Sequence, residues 1–304
     1  MQTESRRTVY LMLVLVMLLW SGNSVVARAI HEDVPPFTLA FLRWGGASLI
    51  ALPLAARQIR ADAVAIRQHW PVILLLGGIG VGCFNAFMYS GLQYTTAANS
   101  LLVQAAIPAL VLALNFLIFR VRPRVAQVIG VIVGALGVGA IIFKGDPAAL
   151  LTLSFNHGDV LVLCAVVLWS LYTVLLRLRP PIHGLSFLAL TILVGVAAML
   201  PFALHELQTR SVHLTPHVLA GIGYVAIFPS IVAYYLFNLA VERIGPADAG
   251  QVINLQPVFG ALLAALVLAE PIHGYHVIGM VLILIGIGIP LLFAARRPVP
   301  AGQR

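Results

Sequence analysis

Leu19-Trp20-Ser21 and Leu168-Trp169-Ser170 are the same tripeptide 149 residues apart. Carried along the chain without a gap, that offset sets Pro108 on Pro257, Gly130 on Gly279, Gly137 on Gly286 and Gly139 on Gly288. One period held over so many positions marks an internal repeat, here two copies that occupy residues 1–149 and 150–304. Each copy has room for five apolar spans. Five is odd, so the second copy threads a membrane in the opposite direction to the first. The expected fold is all-α integral membrane, with ten transmembrane helices as two inverted five-helix repeats. Such inverted repeats are associated with alternating-access transporters, whose site lies near the midplane between the halves.

Outward from the repeat, polar and charged punctuation cuts the chain into ten runs, near residues 9–29, 37–56, 70–92, 97–119, 124–143, 158–177, 184–204, 216–241, 247–269 and 274–294. Each is close to the ~20 residues that a membrane-crossing helix needs. Of the 304 residues 61% are hydrophobic and 9% charged, which excludes a soluble multi-domain enzyme. The longest connection, residues 144–157, is too short to hold a further domain. Arg6 and Arg7 before the first run resemble the start of a secretory signal. The run is too long for a signal's hydrophobic region and is expected to stay as the first helix. Cys83 and Cys164 both fall inside apolar runs, so neither a disulfide framework nor a metal site is expected.

The formal net charge is +8, which in a soluble protein points to nucleic acid. Here the basic residues sit in alternate loops. With an inside amino terminus, one side collects 14 of the 18, the other only Arg28, Lys144 and Arg210, and Arg43 remains within a span. By the positive-inside rule both termini are expected in the cytoplasm, in a bacterial-type inner (plasma) membrane. The charge is then explained by topology without a nucleic-acid partner.

Midspan chemistry is aromatic and neutral. Trp20 and Asn23 stand three apart, as do Trp169 and Tyr172, while Asn85 and Tyr89, and Tyr234 and Asn238, stand four apart in reversed order. Such spacings share one helix face. Together with Asn254 these residues are expected to line one substrate cavity across the pseudo-twofold axis. The alternative for each ring is ordinary packing or anchoring, and for each amide a bond to a neighbouring helix. Pro108 and Pro257 interrupt spans four and nine and free the carbonyls of Gln104 and Ile253, one turn earlier. With Pro229 and Gly80 they are the candidate hinges or gates. Arg43 has two readings, a contact for a substrate carboxylate or a structural group. Asp248 and Glu270 fall at span ends, and no acid occupies the middle of a span. Strong proton coupling through a buried carboxylate is therefore not expected. Gly77, Gly78, Gly80 and Gly82, the set from Gly130 to Gly139, and Gly279, Gly286 and Gly288 read as close helix contacts, within the chain or in a homodimer.

These features resemble the EamA-type ten-helix members of the drug/metabolite transporter superfamily along nearly the whole chain. The matching residues are the Leu-Trp-Ser start of each half, Arg43-Trp44, Pro246-Ala247-Asp248-Ala249, Pro257, Glu270-Pro271 and Gly279. The first half departs from this pattern, with Arg122-Pro123 standing where the second has Glu270-Pro271. Size and the tryptophan-bearing first span are similar to YddG-type exporters of aromatic and other neutral amino acids. The resemblance implies a secondary transporter, an exporter or facilitator of neutral amphipathic metabolites, with a small-molecule substrate, the lipid bilayer as surroundings and no cofactor. Multidrug efflux is the alternative, because an aromatic cavity also admits hydrophobic drugs. An integral-membrane enzyme is less supported: His213 and His217 flank Pro216 without a nearby acid, and His273 and His276 make no better cluster.

Overall fold

A computed structural model describes residues 6–30, 32–95, 97–146, 148, 156–268 and 272–294. Among these residues all regular structure is helical. Ten spans follow in order: α1 Arg6–Ala29, α2 Pro36–Ala61, α3 Ala63–Leu92, α4 97–119, α5 Val125–Ile142, α6 His157–Leu178, α7 Gly184–Leu207, α8 Pro216–Ile244, α9 246–268 and α10 Gly274–Ala294. Among the described residues nine helices are long and apolar enough to cross a membrane, and α9 supplies the tenth in three short pieces.

Local sequence fixes where several spans begin. Asn156 and Asp159 exchange side-chain to backbone bonds of 3.1 and 2.7 Å at the start of α6, satisfying amides that the first turn leaves without partners. Proline opens α2, α8 and the first piece of α9, where its missing N–H costs nothing. Gly245, at φ 85°, turns the chain between α8 and α9. α3 departs from the expected boundary: it starts at Ala63 rather than near Trp70 and bends at His69. Arg67 and Gln68 are good helix formers, so polarity there does not end the helix, and the bend precedes Pro71, whose N–H is absent.

The irregular stretches obey the repeat. α3 carries a π-helical turn at Gly78–Cys83 and α8 one at Ala226–Val232, which the 149-residue offset superposes almost completely. α4 breaks between Gln104 and Ile107, and α9 runs through a 3-10 turn at Val252–Leu255. Both breaks sit where Pro108 and Pro257 remove a bond from the ladder.

Helix pairing is symmetric as well. α5 lies along α10 and α2 along α7. The contact of α3 with α6 is matched by that of α8 with α1, and α4 with α6 by α9 with α1. This is the pattern a pseudo-twofold axis between the halves requires. At one end lie Arg6, Arg124 and Asp248, the Arg179–Glu242 pair, and Asp62 bonded to the start of α7. At the other end lie Asp33 with His217, Glu206 on the Thr38 amide, and Asp159 on Thr95. α1 therefore begins at the arginine-rich end and α6 at the opposite one, as inversion demands.

The glycines of α5 and α10 meet inside the chain. A Cβ on Gly137 would stand 2.7 Å from the Gly279 carbonyl oxygen, and one on Gly286 would stand 2.6 Å from that of Gly130. Glu270 lies outside the described residues.

Candidate functional site

Seven rings from α1, α2, α3, α6 and α8 meet where the halves face each other. Trp20 lies edge-on to Trp169, centroids 5.3 Å apart, and both lie within 6 Å of Tyr234 and Phe237. Tyr172 and Phe84 lie tilted against Trp169 at 5.3 and 5.0 Å, and Trp44 meets Tyr234 edge-on at 5.0 Å. Tilted and edge-on contacts of this kind are the favoured geometries of aromatic pairs.

The polar tips of these rings are tied to the irregular turns. Trp20 Nε1 donates to the Pro229 carbonyl at 3.0 Å, and Tyr234 Oη donates to the Gly80 carbonyl at 3.3 Å. Gly80 and Pro229 are repeat equivalents. Each half thus offers an aromatic donor to the carbonyl that the other half exposes in its π-helical turn, a buried acceptor that would be costly without a partner. Asn85 Nδ2 donates to Val81 O, 2.6 Å away in the same turn of α3, and Tyr172 Oη donates to Asn238 Oδ1 at 2.8 Å.

Arg43 is buried and belongs to the same network. Its Nε donates to Ser230 Oγ at 2.6 Å, and that hydroxyl donates to the Val225 carbonyl at 2.8 Å. Val225 stands four residues before Pro229 and loses its usual partner there. The guanidinium also lies 4.6 Å from the Trp44 ring centroid, a cation–π contact. Among the described residues no carboxylate pairs with Arg43.

Of the residues expected to share a site, Trp20, Trp169, Tyr172, Tyr234, Asn85 and Asn238 are joined directly or through one turn. Tyr89 is half-buried against the same core and Asn23 is half-buried on α1. Asn254 is buried at the 3-10 turn of α9, facing Gly134 of α5 rather than the rings. Beside it a cavity of about 10 Å³, bounded by Gln104, Gln256 and Pro257, has room for about one water. Trp20, Trp169, Tyr234 and Phe237 pack against one another where the halves face each other, and all four are buried. Sequence reasoning missed Trp44, Phe84 and Phe237 as members. Phe237 follows Tyr234 by three residues, a helical spacing that was there to be read. Trp44 Nε1 is buried without a hydrogen-bond partner among the described residues.

The EamA-like transporter family model matches residues 7–143 and 156–292, two segments displaced by the repeat offset of 149. The chain belongs to the EamA-like transporter family. Its relatives are transporters, not enzymes. Bacillus subtilis "Uncharacterized transporter YyaM" is 27% identical over 282 residues, covering 92% of each chain. The "Probable amino-acid metabolite efflux pump" of Salmonella typhimurium is 27% identical over 308 residues, covering 96% of this chain and 98% of that one. A solved crystal structure shares the fold with TM-score 0.77 and 23% identity over 96% of this chain and 99% of its own.

Proposed function

We propose that the chain exports neutral amphipathic metabolites, aromatic amino acids among them, across the inner membrane by alternating access, with both termini in the cytoplasm. The observation that carries this reading is the ring cluster built from both halves and tied to the π-helical turns at Gly80 and Pro229. Parting the halves would uncover Trp20, Trp169, Tyr172, Tyr234, Asn85 and Asn238 together. Rings would then take an apolar side chain, and amides, the freed carbonyls and the unpartnered Trp44 N–H would take the amino and carboxylate groups. Tyr89, Asn23 and, from the α9 turn, Asn254 extend this polar lining, while Pro108, Pro257, Pro229 and Gly80 serve as flex points. Arg43 acts as a brace for the α8 turn, a role its bond to Ser230 supports. The Salmonella relative bears the name of a probable amino-acid metabolite efflux pump, which agrees with this reading. Facilitated rather than proton-driven export fits the placement of Asp248, Asp159 and Glu206 at helix ends. Gly130 and Gly137 of α5 are already occupied by Gly286 and Gly279 of α10, so a homodimer would not use these four positions.

Counterflow into liposomes of the purified protein, with labelled neutral amino acids and hydrophobic cations as competitors, tests this. Exchange of aromatic amino acids without an imposed pH gradient is expected. Trp169→Ala should raise the half-saturating concentration for aromatic substrates by about tenfold, a loss of about 1.4 kcal/mol. Strict dependence on a pH gradient, or exchange of hydrophobic cations alone, would refute it.

A further inference from the structure

Far from the ring cluster, at the arginine-rich end, a cavity of about 280 Å³ opens between the end of α4, the start of α5, the end of α6 and the α8–α9 connection. That is many times the ~10–15 Å³ that suffices for one water. Four arginines, Arg6, Arg122, Arg124 and Arg177, border it against a single carboxylate, Asp248. Asp248 is engaged by Arg124, by Gln127 Nε2 at 2.7 Å and by Arg6 at 3.6 Å. No carboxylate among the described residues pairs with Arg122 or Arg177, and both are exposed. The guanidinium of Arg177 lies over the Phe119 ring at 5.7 Å, which holds it at the rim.

Two further features point to an anion. The first turn of α5 opens on the cavity through Arg124 and Gln127; their own amides are bonded to Gln127 Oε1 and Arg124 O, both at 2.9 Å, and the helix start adds partial positive charge. Asn115 borders the cavity, is 3% exposed, and its Oδ1 has no hydrogen-bond partner. A half-turn of its amide exchanges oxygen for nitrogen and offers a buried donor. Planar guanidinium groups match phosphate oxygens in geometry as well as charge.

The surroundings select the source of that phosphate. Val121 forms part of the wall and is 38% exposed, and next to it Leu117, Ile118 and Val125 are 60%, 43% and 75% exposed. Exposed apolar side chains of α4, α5 and their connection thus stand beside the cavity in the chain. We propose that this cavity binds the phosphate group of an anionic membrane lipid, with its acyl chains laid along those side chains. Under the topology proposed above the lipid belongs to the cytoplasmic leaflet, where basic pockets between helices meet anionic headgroups. Binding itself does not depend on the transported substrate.

The full chain, purified in neutral detergent, is titrated with short-chain phosphatidylglycerol, short-chain phosphatidylcholine or inorganic phosphate at fixed ionic strength. Native mass spectrometry and the unfolding midpoint are the readouts. One phosphatidylglycerol is expected to bind with a saturable rise in Tm, and phosphatidylcholine to leave both unchanged. Arg122→Gln/Arg177→Gln should weaken that binding by about tenfold or more with the lipid-free Tm near wild type. Should the pair of changes prevent folding, Arg177→Gln alone is expected to weaken binding in the same direction. Equal binding of the two lipids, or variants that bind as wild type, would overturn the site. Saturation by inorganic phosphate with equal stabilisation would overturn the lipid as its source.

Discussion

At Gly286 a methyl group would stand 2.6 Å from the Gly130 carbonyl oxygen, whereas at Gly288, two residues on, it would meet nothing within 4 Å. The same substitution therefore has opposite consequences on one helix. Gly286→Ala is expected to destabilise by about 1–3 kcal/mol through overpacking of backbone on backbone. Gly288→Ala should be neutral or gain up to about 1 kcal/mol from helix propensity. Thermal unfolding in detergent distinguishes them, and equal effects would remove the seam from the account. Both glycines stood out in the repeat, but periodicity alone did not say which one touches a neighbour. Trp20 and Trp169 were readable as a pair because each repeats the other. Phe84 has no aromatic at its repeat position, and the counterpart of Phe237 is Met88, so self-comparison passed over them. Arg43 was readable only as two alternatives. Its bond to Ser230 depends on where Pro229 breaks α8, which a local pattern does not reveal.

π-helical turns at matched places in α3 and α8 give each helix a site where the ladder is already loosened. If these turns bend as the halves rock, their ends move in opposite senses on the two sides of the membrane. Single cysteines placed by Arg67→Cys and Arg243→Cys probe the arginine-rich end, and Leu92→Cys and His217→Cys the other. Cys83 and Cys164 are first replaced by Ser, since both are free and neither is fully buried. Substrate should change the labelling rate in one direction at the first pair and in the opposite direction at the second. Parallel changes at all four would refute rocking. Span existence and the proline breaks followed from sequence because apolar run length and a missing N–H are local properties. The early start of α3 did not, since the polar run before Trp70 reads as a boundary although Arg67 and Gln68 are good helix formers.

Across the chain as a whole, the two halves are fastened at the arginine-rich end by Asp248 of α9, which is 4% exposed and engaged by Arg124 of α5. Arg124→Gln removes the shorter of its two arginine contacts and should destabilise by about 1–3 kcal/mol, leaving a buried carboxylate short of partners. Asp248→Asn alone is expected to cost a similar amount. The double variant should cost less than the two single losses summed, because the interaction is removed from both sides. Strictly additive unfolding midpoints would show that the pair does not couple the halves. Sequence marked Asp248 as lying at a span end and within the Pro246-Ala247-Asp248-Ala249 match. Its burial follows from the α5–α9 approach, a long-range contact that charge spacing along one helix does not encode.

The seam between α5 and α10 has one more consequence. Gly130 faces Gly286 and Gly137 faces Gly279, while the repeat makes Gly279 the copy of Gly130 and Gly286 the copy of Gly137. Everything the second half contributes at these positions is therefore already present in the first. A single five-helix unit inserted in both orientations would carry a self-complementary seam, Gly130 against Gly137 in each direction. The arginine bias between the two ends of this chain is what separates a fused, asymmetric protein from such a symmetric pair. The glycine seam has, within one polypeptide, the self-complementary geometry of a twofold contact.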